Sequence, residues 1–313
     1  MSDAYIETTY KGPVGSLKHR CQHCKATDTE LFKCAGCHAA RYCSRNHQVA
    51  DRPQHKRLRK TIKEARAETA KEERLLRNAD DEDTPANTFE TAAGLFWGYK
   101  GTRDYMCARM RLAKSYLLRS GSLDGVREAL DHMLDMIRLC RGDNVGMRQY
   151  VPGAMLRLYQ DQECYDFIKW WATCDPDGKY NWSDVTLPHL NLRGADIFED
   201  PDFLMTGLPG INHLVAILLL KLKLLIDVRK ILAHRKGAPL APLRSPISVK
   251  LQDKDEHQQA PPVDLASPQK ALVTTPETWM MGTPEESALA VQNSYAAFWT
   301  TEGTLDLLKE LRG

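Results

Sequence analysis

Apolar residues recur every three or four positions through the middle of the chain, and this spacing predicts a series of amphipathic α-helices. The pattern covers residues 102–120, 123–140, 145–159 and 161–174, and Gly121 interrupts it after the first helix. The turns between these segments are short, and short turns favour antiparallel neighbours. The sequence therefore predicts a body built from stacked helical hairpins.

A longer apolar segment follows at residues 209–236. Its apolar positions surround most of a helical cylinder, which predicts a buried central helix of the body. Lys221 and Lys223 lie in the middle of the segment, whereas a membrane-spanning helix needs about 20 residues that are almost free of charge. No contact with a membrane is therefore expected.

Two helices carry start signals. Asp161 precedes the apolar positions of the fourth helix and is predicted to cap it. Thr283, Pro284 and Glu286 form the pattern of an N-cap, a proline in the first turn and a capping-box acid. A further helix is therefore predicted to begin after the threonine.

Composition divides the chain into six predicted segments, three of them helical. After Pro53 the sequence is dominated by Ala, Lys, Glu, Arg and Leu, which predicts a long and mostly solvated helix that ends in an acidic turn. Prolines between residues 237 and 276 favour disorder in that region. The segments are a flexible N-terminus (1–18), a finger (19–60), the connecting helix and acidic turn (61–84), a helical body (85–236), a disordered Pro-rich linker (237–282) and a C-terminal helical segment (283–313).

Charge and cysteine use restrict the function further. The formal net charge is +2 and the pI is near 8.0, so overall charge points to neither nucleic acid nor a membrane surface. The first twenty residues lack the apolar core of a secretory signal. Five of the nine cysteines fall between Cys21 and Cys43, where we expect metal ligands rather than disulfides. The expected location is intracellular, in the nucleus or the cytoplasm.

The clustered cysteines and the histidines beside them have the spacing of a zinc-binding module. The order is Cys21-x2-Cys24, Cys34-x2-Cys37, Cys43-x3-His47 and then His55, which begins a fourth pair of positions. A CxxC pair places two thiolates on one tight turn, near adjacent corners of a tetrahedron. Four pairs indicate two zinc ions, which would supply folding free energy that so short and polar a segment lacks.

Residues 21–59 resemble a MYND-type zinc finger. The stretches Tyr42-Cys43-Ser44 and His55-Lys56 match that family in register. The resemblance implies two zinc ions bound by interleaved pairs of ligands. It assigns Cys21, Cys24, Cys43 and His47 to a first zinc site, and Cys34, Cys37, His55 and the residue at position 59 to a second.

Three positions depart from the family pattern. His47 stands where the family has cysteine, and imidazole is an equally good zinc ligand. Arg52 replaces a tryptophan of the family's peptide-binding face, and Arg59 replaces the last cysteine. Position 59 therefore supplies no ligand to the second site. The fourth ligand could be water or His38, or the site could have only three ligands. Arg59 itself is expected to turn outward, because zinc repels a guanidinium.

The helical hairpins of the body are similar to tetratricopeptide-like (TPR-like) helical repeats. Residues 143–171 also resemble the body of uncharacterised fungal MYND-finger proteins, and this second resemblance spans most of the chain. The first resemblance implies helical hairpins. The second implies architecture alone, since no activity is established for that group. The predicted fold is therefore mainly α, with a small N-terminal MYND-like finger followed by an all-α, TPR-like hairpin body.

No catalytic motif accompanies the finger. The nucleophile elbow, the phosphate-binding loop, the zinc-protease motif and the dinucleotide fingerprint are all missing from the sequence. We therefore predict a zinc-binding adaptor, not an enzyme, that recruits a protein or peptide. Arg52 and Arg59 favour acidic partners. One alternative is nucleic-acid association through the basic finger and helix, including Lys56, Lys60 and Lys63, and a second is a zinc hydrolase at the three-ligand site.

Overall fold

The computed structural model describes residues 5–7, 17–79, 81–206, 210–235, 274–276, 283–301, 303–304, 307–308 and 310. Helices predominate within these residues, and the strands form two short antiparallel pairs. The predicted mainly α fold, with a finger preceding the helices, is confirmed. Of the described helices, none combines the length and the apolar character that a membrane span requires.

The elements follow one another in chain order. The helices are α1 (Arg45–Ala50), α2 (Arg52–Arg77), α3 (Thr88–Thr91), α4 (Arg103–Arg119), α5 (Leu123–Leu139), α6 (Val151–Arg157), α7 (Asp161–Thr173), α8 (Phe203–Thr206), α9 (Ile211–Arg235) and α10 (Pro284–Thr300). The strands are β1 (Tyr5–Glu7), β2 (Phe32–Lys33), β3 (Arg41–Tyr42) and β4 (Thr274–Pro276). β1 pairs with β4, and β2 pairs with β3.

The described chain divides into two compact units. The finger unit comprises residues 17–154 and 179–189, and the central-helix unit comprises the described residues within 1–16, 155–178 and 190–313. This division differs from the one expected from composition, which set the finger apart from the helical body. Finger, connecting helix and first helical hairpin belong to one unit.

The finger unit is built on α2, α4 and α5. α2 buries His55, Ile62, Thr69 and Leu76, which are seven residues apart and form one stripe along the helix. α2 packs against α4, and α4 packs against α5. Most of the apolar positions that predict α4 and α5 are buried, which confirms their helical periodicity.

The central-helix unit is organised around α9, which packs against α7 and α10. The bounds of α9 agree with the helix predicted over 209–236. The prediction that this helix is buried is wrong on one face. That face carries four leucines that are 38–49% exposed: Leu214, Leu218, Leu225 and Leu232. α9 is covered where α7 and α10 lie against it, and the leucine stripe is left in solvent.

Asp161 does not cap α7 as predicted. It is the first residue of the helix, and the N-cap residue Gln160 makes no side-chain cap bond. The Asp161 carboxylate accepts a hydrogen bond from Lys223 Nζ of α9 at 2.5 Å, and both side chains are buried. A buried ion pair is stable only when both partners are present. The pair therefore ties the start of α7 to the middle of α9.

The predicted start of α10 is confirmed. Thr283 is the N-cap residue, and its hydroxyl accepts a hydrogen bond from Glu286 N. The Glu286 carboxylate accepts a hydrogen bond from Ile211 N at 3.2 Å. The acid of the predicted capping box thus links the first turns of α9 and α10.

Two segments predicted to lack fixed structure contain described strands. β1 lies within 1–18 and β4 lies within 237–282, with Tyr5 opposite Pro276. The prediction is corrected at these strands, where Tyr, Ile and Thr favour extended pairing. The rest of the predicted linker, with residues 1–4 and 8–16, lies outside the described residues.

Replacing Lys223 with methionine should leave the Asp161 carboxylate buried without its partner. We expect the free energy of unfolding to fall by about 3–5 kcal/mol, the usual cost of breaking a buried ion pair on one side. Chemical denaturation followed by circular dichroism measures the change. Arg229→Met is the matched control on the same helix, because it breaks an exposed pair with Glu310 and should cost under about 1 kcal/mol.

The double variant Asp161→Leu, Lys223→Met should recover most of the lost stability, because two apolar side chains need no solvation. If the double variant is no more stable than Lys223→Met alone, the unpaired Asp161 carboxylate is not the cause of the lost stability.

Candidate metal centre and its groove

Both CxxC pairs lie on turns of the same design. The Lys25 amide donates to Cys21 O at 2.9 Å, and the His38 amide donates to Cys34 O at 2.8 Å. Lys25 and His38 have φ values of 63° and 58°, in the left-handed region that non-glycine residues seldom adopt. The backbone therefore shapes the two cysteine pairs alike.

Cluster 1 combines the first CxxC turn with Cys43 and His47. The Ser44 hydroxyl accepts a hydrogen bond from His47 N at 3.2 Å, which caps α1 and sets His47 one turn after Cys43. Cys24 Sγ lies 3.7 Å from Cys43 Sγ, and Cys21 Sγ lies 3.8 Å from His47 Nδ1. Cys43 Sγ and His47 Nδ1 are 2.9 Å apart, a direct hydrogen-bond distance.

Cluster 2 combines the second CxxC turn with His55 of α2. Cys37 Sγ lies 3.4 Å from His55 Nε2, and Cys34, Cys37 and His55 are all buried. The Tyr42 hydroxyl donates to Asp51, the residue before α2, at 2.7 Å. The Tyr42 ring also meets the His55 ring edge-on at 6.0 Å. Tyr42 therefore positions the start of the helix that carries the histidine.

The two clusters fit zinc. Bonds of about 2.3 Å to sulfur and about 2.0–2.1 Å to nitrogen place tetrahedral ligand atoms about 3.5–3.8 Å apart. Cys43 Sγ and His47 Nδ1, at 2.9 Å, are closer than this and would have to move apart on binding zinc. The candidate ligand atoms of each cluster all lie within 4.8 Å of one another. Thiolate and imidazole are also the donors that zinc prefers. The structure groups the side chains as the interleaved pairs predicted, while the role of each as a ligand stays a prediction.

One candidate thiol in each cluster has a lowered pKa, which favours metal binding because the thiolate is the ligand. Burial raises the pKa of Cys21, but hydrogen bonds from backbone amides, that of Cys24 first, outweigh it and lower this pKa to about 6. In cluster 2, the hydrogen bond from Cys37, followed by that from His55, lowers the pKa of Cys34 to about 3. The same bond raises the pKa of Cys37, so this pair shares one proton.

Arg59 does not turn away from cluster 2 as expected. Its side chain lies across Gly36 in the second CxxC turn, since a Cβ added to Gly36 would come within 2.4 Å of Arg59 Nε. The missing side chain at Gly36 leaves room for the arginine stem. His38, one of the options for a fourth ligand, is not among the side chains grouped in cluster 2.

A groove of about 310 Å³ opens beside cluster 2. Cys34 and His55 line it, together with Val49, whose side chain is largely exposed. Four basic side chains also line the groove: Arg45, Arg52, Lys56 and Arg59. The groove thus combines a small apolar surface with concentrated positive charge.

The positive charge continues along α2. Arg52, Lys56, Arg59 and Lys63 are spaced by four, three and four residues, so they lie on one face of the helix. All four are exposed, and among the described residues none has a carboxylate within ion-pair distance. We call these four residues the basic stripe.

The finger is fastened to the first turn of α5. The buried Asp124 carboxylate accepts two hydrogen bonds from Arg41 of β3, at 2.6 and 3.0 Å. Lys33 of β2 lies 3.4 Å from the same carboxylate. Ser122, the N-cap residue of α5, donates its hydroxyl to Ala39 O at 2.6 Å. Both strands of the finger hairpin therefore meet one helix N-terminus, where a negative charge is favoured.

Sequence reasoning missed these docking residues. An acid in the first turn of a helix, such as Asp124, is ordinary in any helix, and no local signal names its partner. The turn-closing positions of Lys25 and His38 did carry a signal. Each of them directly follows the second cysteine of a CxxC pair.

Two interleaved Cys/His clusters, joined by a short hairpin and completed by a helix, define a small zinc-finger module. The family model of the MYND finger matches residues 21–58. This segment is a MYND finger, which indicates zinc binding and protein–protein interaction in general. Searches of curated proteins and of solved structures return no match. The similarity of the body to TPR-like repeats and to fungal finger proteins stays a prediction.

Asp124→Asn is expected to destabilise the finger unit at neutral pH by about 2 kcal/mol, since hydrogen bonds to charged groups contribute about 1.5–3 kcal/mol. Burial raises the pKa of Asp124, but the Arg41 hydrogen bond and the nearby cations outweigh it, so the net pKa is lowered. The carboxylate therefore stabilises the fold above its ordinary pKa near 4. This contribution is lost as the pH falls through the folded-state pKa.

Denaturation curves of wild type and Asp124→Asn, recorded from pH 7 to about pH 2, check this prediction. The difference between them should shrink on acidification. Asp131→Asn is the matched control, because Asp131 is exposed on the same helix. A difference that does not depend on pH, or an equal effect of the control, would contradict the role given to Asp124.

Arg59→Cys should raise zinc affinity at cluster 2 and the melting temperature of the finger together. The change supplies a thiolate at the position of the family's last ligand and removes a positive charge. Arg59→Ser is the matched control, since it removes the charge without adding a soft ligand. Competition with a chelator, with bound zinc counted at each concentration, measures the effect. Wild type that holds its second zinc as firmly as Arg59→Cys would show that a fourth ligand is already present.

Proposed function

We propose that the chain is an intracellular, zinc-dependent adaptor whose finger binds acidic segments of partner proteins. The observation that carries the proposal is the groove beside cluster 2. There the exposed Val49 lies among Arg45, Arg52, Lys56 and Arg59. A peptide with carboxylates next to a small apolar side chain would match both features of this surface.

The charge of the groove is available to a partner. The basic stripe has no carboxylate within ion-pair distance among the described residues, and Lys63 extends it beyond the groove. A single exposed ion pair contributes at most about 1 kcal/mol. Several on one face favour rapid encounter and selection of acidic sequences.

A larger groove in the finger unit, of about 540 Å³, supports this role less well. It is lined by three arginines and three carboxylates: Arg77, Arg109, Arg138, Glu73, Glu90 and Asp135. The Asp135 carboxylate pairs with both Arg109 and Arg138. The charges that line this larger groove are therefore balanced within the chain, and the groove offers an acidic partner no net attraction.

The proposal describes binding and not catalysis. Hydrolysis at a three-ligand zinc site requires a base that activates water. The described residues that line the groove include no carboxylate, and their one histidine is the ligand candidate His55. This lining supports an adaptor over a zinc hydrolase.

Calorimetric titration of the zinc-loaded, full-length chain tests the proposal. The probes are a blocked hexapeptide of alternating glutamate and leucine and its glutamine counterpart. We expect the glutamate peptide to bind roughly tenfold more tightly or better, since several ion pairs act together. Arg52→Gln and Lys56→Gln should each weaken binding about three- to fivefold. Arg74→Gln, exposed on the same helix outside the groove, is the matched control and should change nothing.

Equal binding of the two peptides, or an equal loss with Arg74→Gln, would contradict an acidic partner in this groove. The nucleic-acid alternative has a different signature. A single-stranded oligonucleotide would then bind more tightly than the glutamate peptide, and its affinity would fall steeply with salt on a log–log plot.

A further inference from the structure

Cluster 2 has one donor fewer than cluster 1. Tetrahedral zinc takes four ligands, and structural zinc sites usually fill all four from the protein. Cluster 2 offers Cys34, Cys37 and His55, and within the part of the chain that the structure describes no other His, Cys, Asp or Glu joins them. A zinc ion held there has one position for an outside ligand.

The groove leads to this cluster. Cys34 and His55 line it, although they are only 3% and 7% exposed. Arg59 lines the same groove, and its side chain crosses Gly36 between the two cysteines of the turn. A molecule in the groove therefore meets two of the three donors and a guanidinium together.

Charge determines which class of ligand fits. Two thiolates balance the double positive charge of zinc, and neutral His55 adds none. Arg59 then leaves one positive charge at the place where a fourth cysteine would have put a negative one. Water leaves that charge unbalanced, whereas a carboxylate neutralises it and can accept a hydrogen bond from the guanidinium with its second oxygen. Aspartate and glutamate oxygens are also normal zinc ligands.

We propose that a carboxylate of the bound partner supplies the fourth ligand of cluster 2, with Arg59 holding its other oxygen. The inference rests on the proposed function, because it requires an acidic segment in the groove, and it names the contact that selects that segment. Arg45, Arg52 and Lys56 then make ordinary ion pairs with the neighbouring carboxylates. One carboxylate of the partner is recognised by coordination as well as by charge.

Cobalt(II) in place of zinc makes the test direct, because its visible absorption bands change when its ligands change. Full-length cobalt-loaded protein is titrated with the glutamate–leucine hexapeptide, with its glutamine counterpart and with acetate. The glutamate peptide should shift the wild-type bands, and the glutamine peptide should not. Acetate should shift the same bands at much higher concentration, which separates a free carboxylate from one delivered by a peptide.

Two variants at position 59 separate coordination from charge. Arg59→Met removes the charge and leaves the ligand position open, so the glutamate peptide should still shift the bands, with affinity reduced roughly threefold. Arg59→Cys also removes the charge but fills the position with a thiolate. Its bands should not respond to the peptide, and its peptide affinity should fall roughly tenfold below that of Arg59→Met.

The outcomes distinguish this inference from the proposed function. Unchanged wild-type bands, with binding of the glutamate peptide shown by calorimetry, would overturn the coordination and leave the acidic groove intact. Equal peptide affinities of Arg59→Cys and Arg59→Met would also overturn the coordination and leave the acidic groove intact. Failure of the glutamate peptide to bind wild type would overturn both. The wild-type spectra need no variant, so a folding defect in Arg59→Cys cannot hide the answer.

Discussion

The ion pair between Arg41 and Asp124 is the contact on which the arrangement of the finger unit depends. The finger itself has almost no apolar core. Apart from Tyr42, the buried apolar residues in 21–58 are cysteines and alanines. So small a module needs support from bound metal and from its neighbours. The Arg41–Asp124 pair supplies the support from a neighbour. Arg41 lies in the hairpin between the clusters, and Asp124 lies in the first turn of α5.

The helix α2 connects this support to binding. One of its faces is a buried stripe that begins with the cluster 2 histidine, His55, and the helix packs against α4. Another face carries the basic stripe beside the groove. The groove is therefore held by the same helix that forms part of the finger unit's core. A partner in the groove would meet a preformed surface, which reduces the entropy lost on binding.

Much of the fold could be predicted from the sequence, because its elements depend on local periodicity and on start signals. The α4–α5 hairpin, the extent of α9 and the cap at Thr283 are of this kind. Asp161 could not be placed, since an acid at a helix start fits a cap as well as a buried partner of Lys223, which lies 62 residues further along the chain. The partner of Asp124 is hidden in the same way, because Arg41 lies 83 residues earlier in the chain.

The candidate site likewise has features that the sequence predicts and features that depend on the folded structure. Ligand spacing and the family resemblance predicted the two groups of Cys and His side chains, because zinc imposes a fixed geometry on the chain. The direction of Arg59 could not be predicted from its charge alone. It depends on the empty space above Gly36, which exists only once the turn has formed.

The central claim is that this finger holds two zinc ions through unequal sets of donors. X-ray absorption at the zinc edge, combined with the zinc-to-protein ratio of the purified chain, tests it most directly. The account predicts two zinc ions per chain that share five sulfur ligands, three from Cys21, Cys24 and Cys43 and two from Cys34 and Cys37, with nitrogen or oxygen completing both shells. One zinc per chain with three sulfur ligands would contradict the claim, because cluster 2 would then hold no metal.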